Sequence, residues 1–258
     1  MDQLQISLVQ PYLHWEEPDS NRQHLYHLIQ NIADTDLIIL PEMFATGFTM
    51  QPLALAEPES GASVRWMKKL AREKEAAVCG SLVISENNKF YNRLFFVKPD
   101  GSYHTYNKRH LFTLAGEEKV YTAGKEQLVV EYAGWKIMPL VCYDLRFPVW
   151  CRNTAEAELM IFVANWPERR SEAWKSLLKA RAIENMCYVT GVNRVGNDGN
   201  EVFHSGDSGV YDELGQLLSD FAPGQEQVKT FTLQKEQVHR SRERFSFLKD
   251  RDLFRIEV

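Results

Sequence analysis

The 258-residue chain has no long apolar run, and no stretch approaches the roughly 18 consecutive apolar residues that cross a bilayer. A membrane partner is therefore not expected. It also lacks the basic excess that nucleic acid demands. Lys and Arg number 30 against 35 Asp and Glu, a formal net charge of -5. The densest basic stretch, Arg240, Arg242 and Arg244, is broken by Glu243. Such a surface repels phosphate backbones, and that stretch reads as a solvated face. Met1-Asp2-Gln3-Leu4-Gln5 has neither a basic n-region nor an apolar h-region, so no secretory leader is expected and the cytoplasm is the expected compartment. Cysteine is scarce: Cys79, Cys142, Cys151 and Cys187 are scattered, with no pair at zinc-ribbon spacing. In a reducing compartment these are thiols, not a disulfide framework. No period of about 20 to 50 residues marks a solenoid, and no low-complexity segment or long linker divides the chain.

What is present is a regular alternation of strand and helix signals. With 44% hydrophobic and 25% charged residues there is ample material for a buried core. Leu4 to Gln10 alternates as a strand, and Asp19-Ser20 could cap a helix carrying Leu25, Leu28, Ile29 and Ile32. Leu37-Ile38-Ile39-Leu40 reads as a strand buried on both faces and ended by Pro41. A helix over about Ala62 to Lys74 precedes strands Ala77 to Ser85 and Tyr91 to Val97, joined at Asn87-Asn88, then an extended Tyr103 to Asn107. Leu128 to Tyr132 and Trp135 to Val141 form a hairpin around Gly134. Beyond Cys142 the pattern predicts a helix over about Val149 to Ala157, a strand Leu159 to Val163, a helix Ser171 to Glu184 and a strand Tyr188 to Val192. A last hairpin is expected between Gly209 to Tyr211 and Val228 to Leu233. The charged tail from Lys235 carries Phe245, Phe247, Leu248 and Phe254, which need cover from this chain or another copy. Helices outside two packed sheets satisfy this count. The expected organisation is one domain over 1–258, with its core at about 4–233 and a tail at about 235–258.

Three positions carry candidate chemistry. A strand enters Cys142 and a helix is expected after it, the geometry of a nucleophile elbow that exposes the thiol and presents the Tyr143 backbone N–H to an oxyanion. A buried core thiol is the competing reading, and for Cys142 alone the commoner one. Free cysteine ionises near 8.5, so a nucleophile needs a base, a cation or both. Among seven histidines only His110 and His204 lie near useful loops, and no papain-like segment accompanies them. Glu42 lies just past a buried strand in Leu40-Pro41-Glu42-Met43-Phe44, where partial desolvation suits a base that later acts as an acid. A solvated turn glutamate is the alternative. Lys108 follows an extended segment, and its ammonium could stabilise both thiolate and oxyanion. Most lysines, however, are solvated surface groups.

Taken together, Leu40–Phe44, Asn107–Phe112 and Val141–Pro148 resemble the Glu, Lys and Cys signatures of the nitrilase superfamily, in that family's order and spacing. The resemblance continues through Val163–Pro167, Ala180–Asn185, Gly191–Gly196 and His204–Ser208. It implies an α/β fold, the four-layer α-β-β-α sandwich, with subunits pairing through outer helices as a homodimer or higher homo-oligomer. It also implies acyl transfer without metal or organic cofactor. Cys142 attacks an amide carbonyl, Glu42 manages the proton, and Lys108 and the Tyr143 amide hold the oxyanion. A second glutamate is common between the Lys and Cys signatures. Here Glu117 is favoured by its position relative to Gly124, with Glu118 adjacent and a solvated loop residue as the bland alternative.

Fold does not choose the substrate. The segments around Lys108, Cys142 and Trp166 resemble the omega-amidase branch, which implies deamidation of short dicarboxylic monoamides such as 2-oxoglutaramate and 2-oxosuccinamate. Arg146 could bind the distal carboxylate or make a structural ion pair. Trp166 could wall the pocket or fill the core. Phe44 and Phe112 are weaker candidates for that wall. Alternatives are a broader aliphatic or N-carbamoyl amidase, a catalytically silent metabolite-binding subunit and, least supported, a metal-binding protein.

Overall fold

Leu37, Ile38 and Ile39 are fully buried, as a strand with neighbours on both edges and layers on both faces must be. In the computed structural model, which describes residues 2–257, this strand β2 (Leu37–Ile39) runs parallel to β1 (Gln3–Gln10) and β3 (Ala77–Glu86). Antiparallel pairing adds β4 (Lys89–Val97) and β5 (Tyr103–Asn107) on one side and β13 (Gln227–Gln234) on the other, giving the order β13-β1-β2-β3-β4-β5. Asn87 and Asn88, with φ of 51° and 58°, supply the left-handed turn that joins β3 to β4. The second sheet, β12-β9-β8-β7-β6, consists of β6 (Val130–Tyr132), β7 (Trp135–Val141), β8 (Leu159–Ala164), β9 (Tyr188–Asn193) and β12 (Gly209–Tyr211). Its central three strands are parallel. A small hairpin, β10 (Val195–Asn197) with β11 (Phe203–Ser205), stands apart.

The period-2 alternation of each strand decides the layering. Ile6, Leu8, Leu37, Ile39, Cys79 and Phe96 of the first sheet share one core with Ile137, Leu159, Ile161 and Val163 of the second. The opposite face of the first sheet, through Val9, Ile38, Val78 and Phe95, packs on α1 (Pro18–Ile29) and α3 (Ala62–Lys74). Outside the second sheet, Trp174, Leu178 and Ala182 of α4 (Ser171–Asn185) cover β9. A Cβ on Gly191 would stand 2.5 Å from both Trp174 and Leu178, so glycine sets the depth of that contact. The result is the α-β-β-α sandwich. Two further helices are α2 (Pro52–Leu55) and α5 (Lys235–Phe245). Among the described residues no helix is long and apolar enough to cross a membrane.

Several local expectations are corrected. The first helix begins at Pro18, whose fixed φ suits N1, so Asp19 and Ser20 are inside it and Ile32 beyond it. No helix forms over Val149 to Ala157. Asn153 Oδ1 accepts the Ala157 N–H at 2.8 Å while its Nδ2 donates to the Ala157 carbonyl at 2.8 Å, closing a loop through side-chain bonds that compete with a helix. Gly209–Tyr211 and Gln227–Gln234 do not pair with each other. β12 lies against β9 and β13 against β1, in different sheets. The tail docks partly as α5: Val238 is buried, and Arg242 donates to the Met186 carbonyl at 2.8 Å. Phe247 and Phe254 remain exposed.

Candidate active site

Parallel strands present their carboxyl ends to one side, where an α/β fold places its ligands. Glu42 follows β2, Cys142 follows β7, and Asn165 and Trp166 follow β8, while Lys108 follows β5. These ends converge on a cavity of about 290 Å³, at the lower end of ligand-sized pockets. Glu42, Lys108 and Cys142 all line it, as do Tyr143, Arg146 and Trp166.

Cys142 has a φ of 44°, in the left-handed region where a non-glycine residue is strained. The chain leaves β7 there and enters a 3-10 turn over Cys142–Arg146. Asp144 braces that turn from beneath. Its buried carboxylate accepts the Val141 N–H at 3.1 Å and the Tyr106 hydroxyl at 2.7 Å on one oxygen, and the His110 N–H at 2.9 Å on the other. The cysteine turn and the Lys108 segment are thus tied through a single side chain. His110 also bonds Asp144 through Nδ1 at 2.8 Å and stacks on Phe147 at 3.7 Å. That engagement turns it away from any thiol-activating role. His204 lines the cavity, but its Nδ1 donates to the Val202 carbonyl at 2.9 Å, and burial followed by Arg194 lowers its pKa to about 4, so it is neutral near pH 7.

The polar network is built around one ammonium. Lys108 Nζ donates to Glu42 Oε1 at 2.8 Å and to Glu117 Oε1 and Oε2 at 3.0 and 2.9 Å. Both carboxylates are fully buried, whereas Glu118 is exposed. Asn92 Nδ2 donates to Glu42 Oε1 at 2.8 Å and reaches Glu117 Oε1 at 3.3 Å, and the Ser81 hydroxyl holds Asn92 Oδ1 at 2.8 Å. Glu42 Oε2 accepts the Asn165 N–H at 2.9 Å, and Asn165 Nδ2 donates to the Glu42 carbonyl. Every carboxylate oxygen therefore has a donor, the condition for keeping charges inside a fold.

The charges act on one another. Burial opposes the Lys108 charge, but Glu117 and then Glu42 outweigh it and hold its pKa above that of an ordinary lysine. Burial raises the Glu117 carboxyl, with Lys108 pulling it back and Glu42 adding to the rise. The Cys142 thiol is pushed well above its ordinary value by burial and then by Glu42, against the pull of Lys108. A resting thiol beside a carboxylate is the state in which a base removes the proton during attack.

Trp166 is nearly buried yet borders the cavity; its Nε1 donates to the Arg170 carbonyl at 2.8 Å, and Arg146 lies over its ring at 4.9 Å. Among the described residues Arg146 thus has no carboxylate partner and lies over this ring instead. Phe112 lines the cavity, whereas Phe44 is packed in the core against Trp66. Sequence reasoning overlooked Asn92, whose signal was a polar residue inside an apolar strand. It also overlooked Arg169 and Arg170, two cations at the N-terminal end of α4, where the helix dipole disfavours them.

The chain matches the carbon-nitrogen hydrolase family model over residues 4–243. It is 43% identical over 254 residues to omega-amidase YafV of Yersinia enterocolitica, covering 98% of this chain and 99% of that one. It is 34% identical over 221 residues to 2-oxoglutaramate amidase of Bacillus subtilis, covering 83% and 85%. The crystal structure of XC1258 from Xanthomonas campestris, a CN-hydrolase superfamily protein with an arsenic adduct in its active site, superposes with a TM-score of 0.97 at 44% identity and full coverage of both chains. The chain belongs to the carbon-nitrogen hydrolase family, within the nitrilase superfamily.

Proposed function

We propose that this protein is an omega-amidase that hydrolyses the terminal amide of short dicarboxylic monoamides, 2-oxoglutaramate and 2-oxosuccinamate, through a thioester on Cys142. The carrying observation is the shared cavity in which a strained, buried cysteine meets the Glu42–Lys108–Glu117 network. The omega-amidase and 2-oxoglutaramate amidase relatives support the substrate class.

Each group has a defined part. Glu42 takes the thiol proton as Cys142 Sγ bonds to the amide carbon. An ammonium has three donors; with one shared between the two Glu117 oxygens and one given to Glu42, the third N–H serves the oxyanion, joined by the Tyr143 backbone N–H. Collapse breaks the C–N bond, Glu42 returns the proton to the departing nitrogen, and ammonia leaves. Glu42 then takes a proton from water as it attacks the thioester, and the acid departs as the thiol is restored. Glu117 fixes Lys108 in place. Arg146 meets the distal carboxylate, and Trp166 walls the carbon chain. Neither metal nor organic cofactor is assigned a part.

The same reading treats 1–258 as one carbon-nitrogen hydrolase domain and pairs it with a second copy, since Ile183 on α4 and the neighbouring Leu214 are 47% and 53% exposed. Sedimentation would show a mass at or above that of a dimer; a monomer at micromolar concentration would contradict it. Four free, buried thiols suit the reducing cytoplasm.

A substrate panel tests the activity. Rapid ammonia release from 2-oxoglutaramate and 2-oxosuccinamate is expected. Turnover of simple aliphatic amides, nitriles or N-carbamoyl amino acids, with none of omega-monoamides, would refute it, and inertness toward all of them would favour a silent binding subunit.

A further inference from the structure

Arg146, Arg169 and Arg170 all line the cavity that holds Cys142. Among the described residues, arginine ion pairs are made by Arg22, Arg93, Arg181, Arg240 and Arg251 instead. Among the described residues none of these three guanidiniums is ion-paired, and the two carboxylates of the same lining are engaged elsewhere, Glu42 by Lys108 and Asp198 by the Asn200 and Val202 N–H groups. Two lie over aromatic rings: Arg146 4.9 Å from the centre of Trp166 and Arg170 5.2 Å from that of Phe112. A cation–π contact holds a guanidinium without using up its N–H donors. Arg170 is half-buried, and burial, then Arg169, lower its pKa, with Arg146 adding to the repulsion. The pair Arg169-Arg170 also stands at the N-terminal end of the 15-residue α4, whose dipole adds positive potential. Cations gathered where burial, mutual repulsion and a helix dipole all oppose them call for an anion.

We propose that Arg170 and Arg146 form a two-sided clamp for the carboxylate at the far end of the substrate, with Arg169 at the exposed rim drawing the anion in. The clamp selects a chain that ends in a carboxylate over a neutral amide, and the three like charges disfavour an ammonium beside that carboxylate. This rests on the omega-amidase reading and deepens it, by assigning specificity to the short turn before α4 (residues 168–170).

The test uses the full chain and two amides of matched length: glutaramate, and 5-oxohexanamide, in which an acetyl group replaces the carboxylate. Arg170→Met is expected to cut kcat/KM for glutaramate by about 10- to 100-fold more than for the neutral amide, the scale of a lost charge-assisted hydrogen bond. Arg170→Lys should restore part of the difference. Equal losses on both amides, or no loss on either, would overturn the clamp. A second readout needs no turnover: alkylation of Cys142 by 3-bromopropionate against 3-bromopropionamide. Wild type should favour the anion more than free cysteine does, and Arg170→Met should lose that preference. If wild type hydrolyses neither these amides nor 2-oxoglutaramate and 2-oxosuccinamate yet shows this pattern, the omega-amidase reading fails and the anion clamp stands. If the pattern is missing as well, both are overturned.

Discussion

Lys108 Nζ lies 2.9 Å from Glu117 Oε2, and both side chains are shut away from solvent. Glu42 claims the same ammonium from the other side at 2.8 Å. Removing one partner of a buried pair is costly because the other charge stays behind. Here Glu42 still neutralises Lys108, so Glu117→Gln should fold. Its kcat should drop by about 100-fold, the scale seen when an oxyanion donor is misplaced, with KM moving far less. Steady-state kinetics with a thermal melt checks this; unchanged kcat would make Glu117 a bystander.

Asn92 is the shared prop of the two carboxylates. Asn92→Ala should leave the Ser81 hydroxyl and one Glu42 lone pair without their donor or acceptor, costing about 1–3 kcal/mol of stability. Activity should fall by at least about tenfold, because misplacing a catalytic group by a fraction of an ångström carries that penalty. Denaturant unfolding and kcat on the same preparation measure both.

Gly124 bonds the Lys108 carbonyl through its N–H at 2.9 Å, and a Cβ there would stand 2.0 Å from the Asn107 carbonyl oxygen. Gly124→Ala should therefore shift the segment that carries Lys108, destabilise by about 1–3 kcal/mol as overpacking does, and lower kcat together with stability. A melt matching wild type would show that the backbone gives way freely.

His204 is buried and neutral, its pKa lowered from 6.5 to about 4. The unfolded chain binds a proton that the folded state refuses. This contribution to stability is therefore complete above pH 6.5 and lost as pH falls toward 4. His204→Gln should flatten the loss of stability across that window relative to wild type. Denaturant midpoints at pH 7, 5.5 and 4 report it; parallel curves for the two proteins would exclude His204 as a source of acid sensitivity.

Much of the site was legible because its groups sit where strands stop. Pro41 ends β2 just before Glu42, and the apolar run of β7 ends at Cys142, so hydrophobic pattern and breakers placed both at strand ends, while their joint role came from the resemblance to the nitrilase superfamily. Position relative to Gly124 favoured Glu117 over Glu118 in sequence, and the fold separates them further: neighbouring residues of a 3-10 turn point about a third of a turn apart, and of the two Glu117 reaches Lys108. The turn after Cys142 misled because Asn153 closes its own loop with the Ala157 backbone, which local propensity does not register. The β12 and β13 segments read as a hairpin because a strand's pattern marks its buried face and not its partner. Arg169 and Arg170 belong to no recognisable motif, and only the cavity beside them singles them out.

Ammonia release from 2-oxoglutaramate, wild type against Cys142→Ala, tests the central claim most directly. Steady release by wild type that disappears in the alanine variant, with its melting curve intact, is the predicted result. Release that survives loss of the thiol, or a wild type that leaves 2-oxoglutaramate untouched, would contradict it.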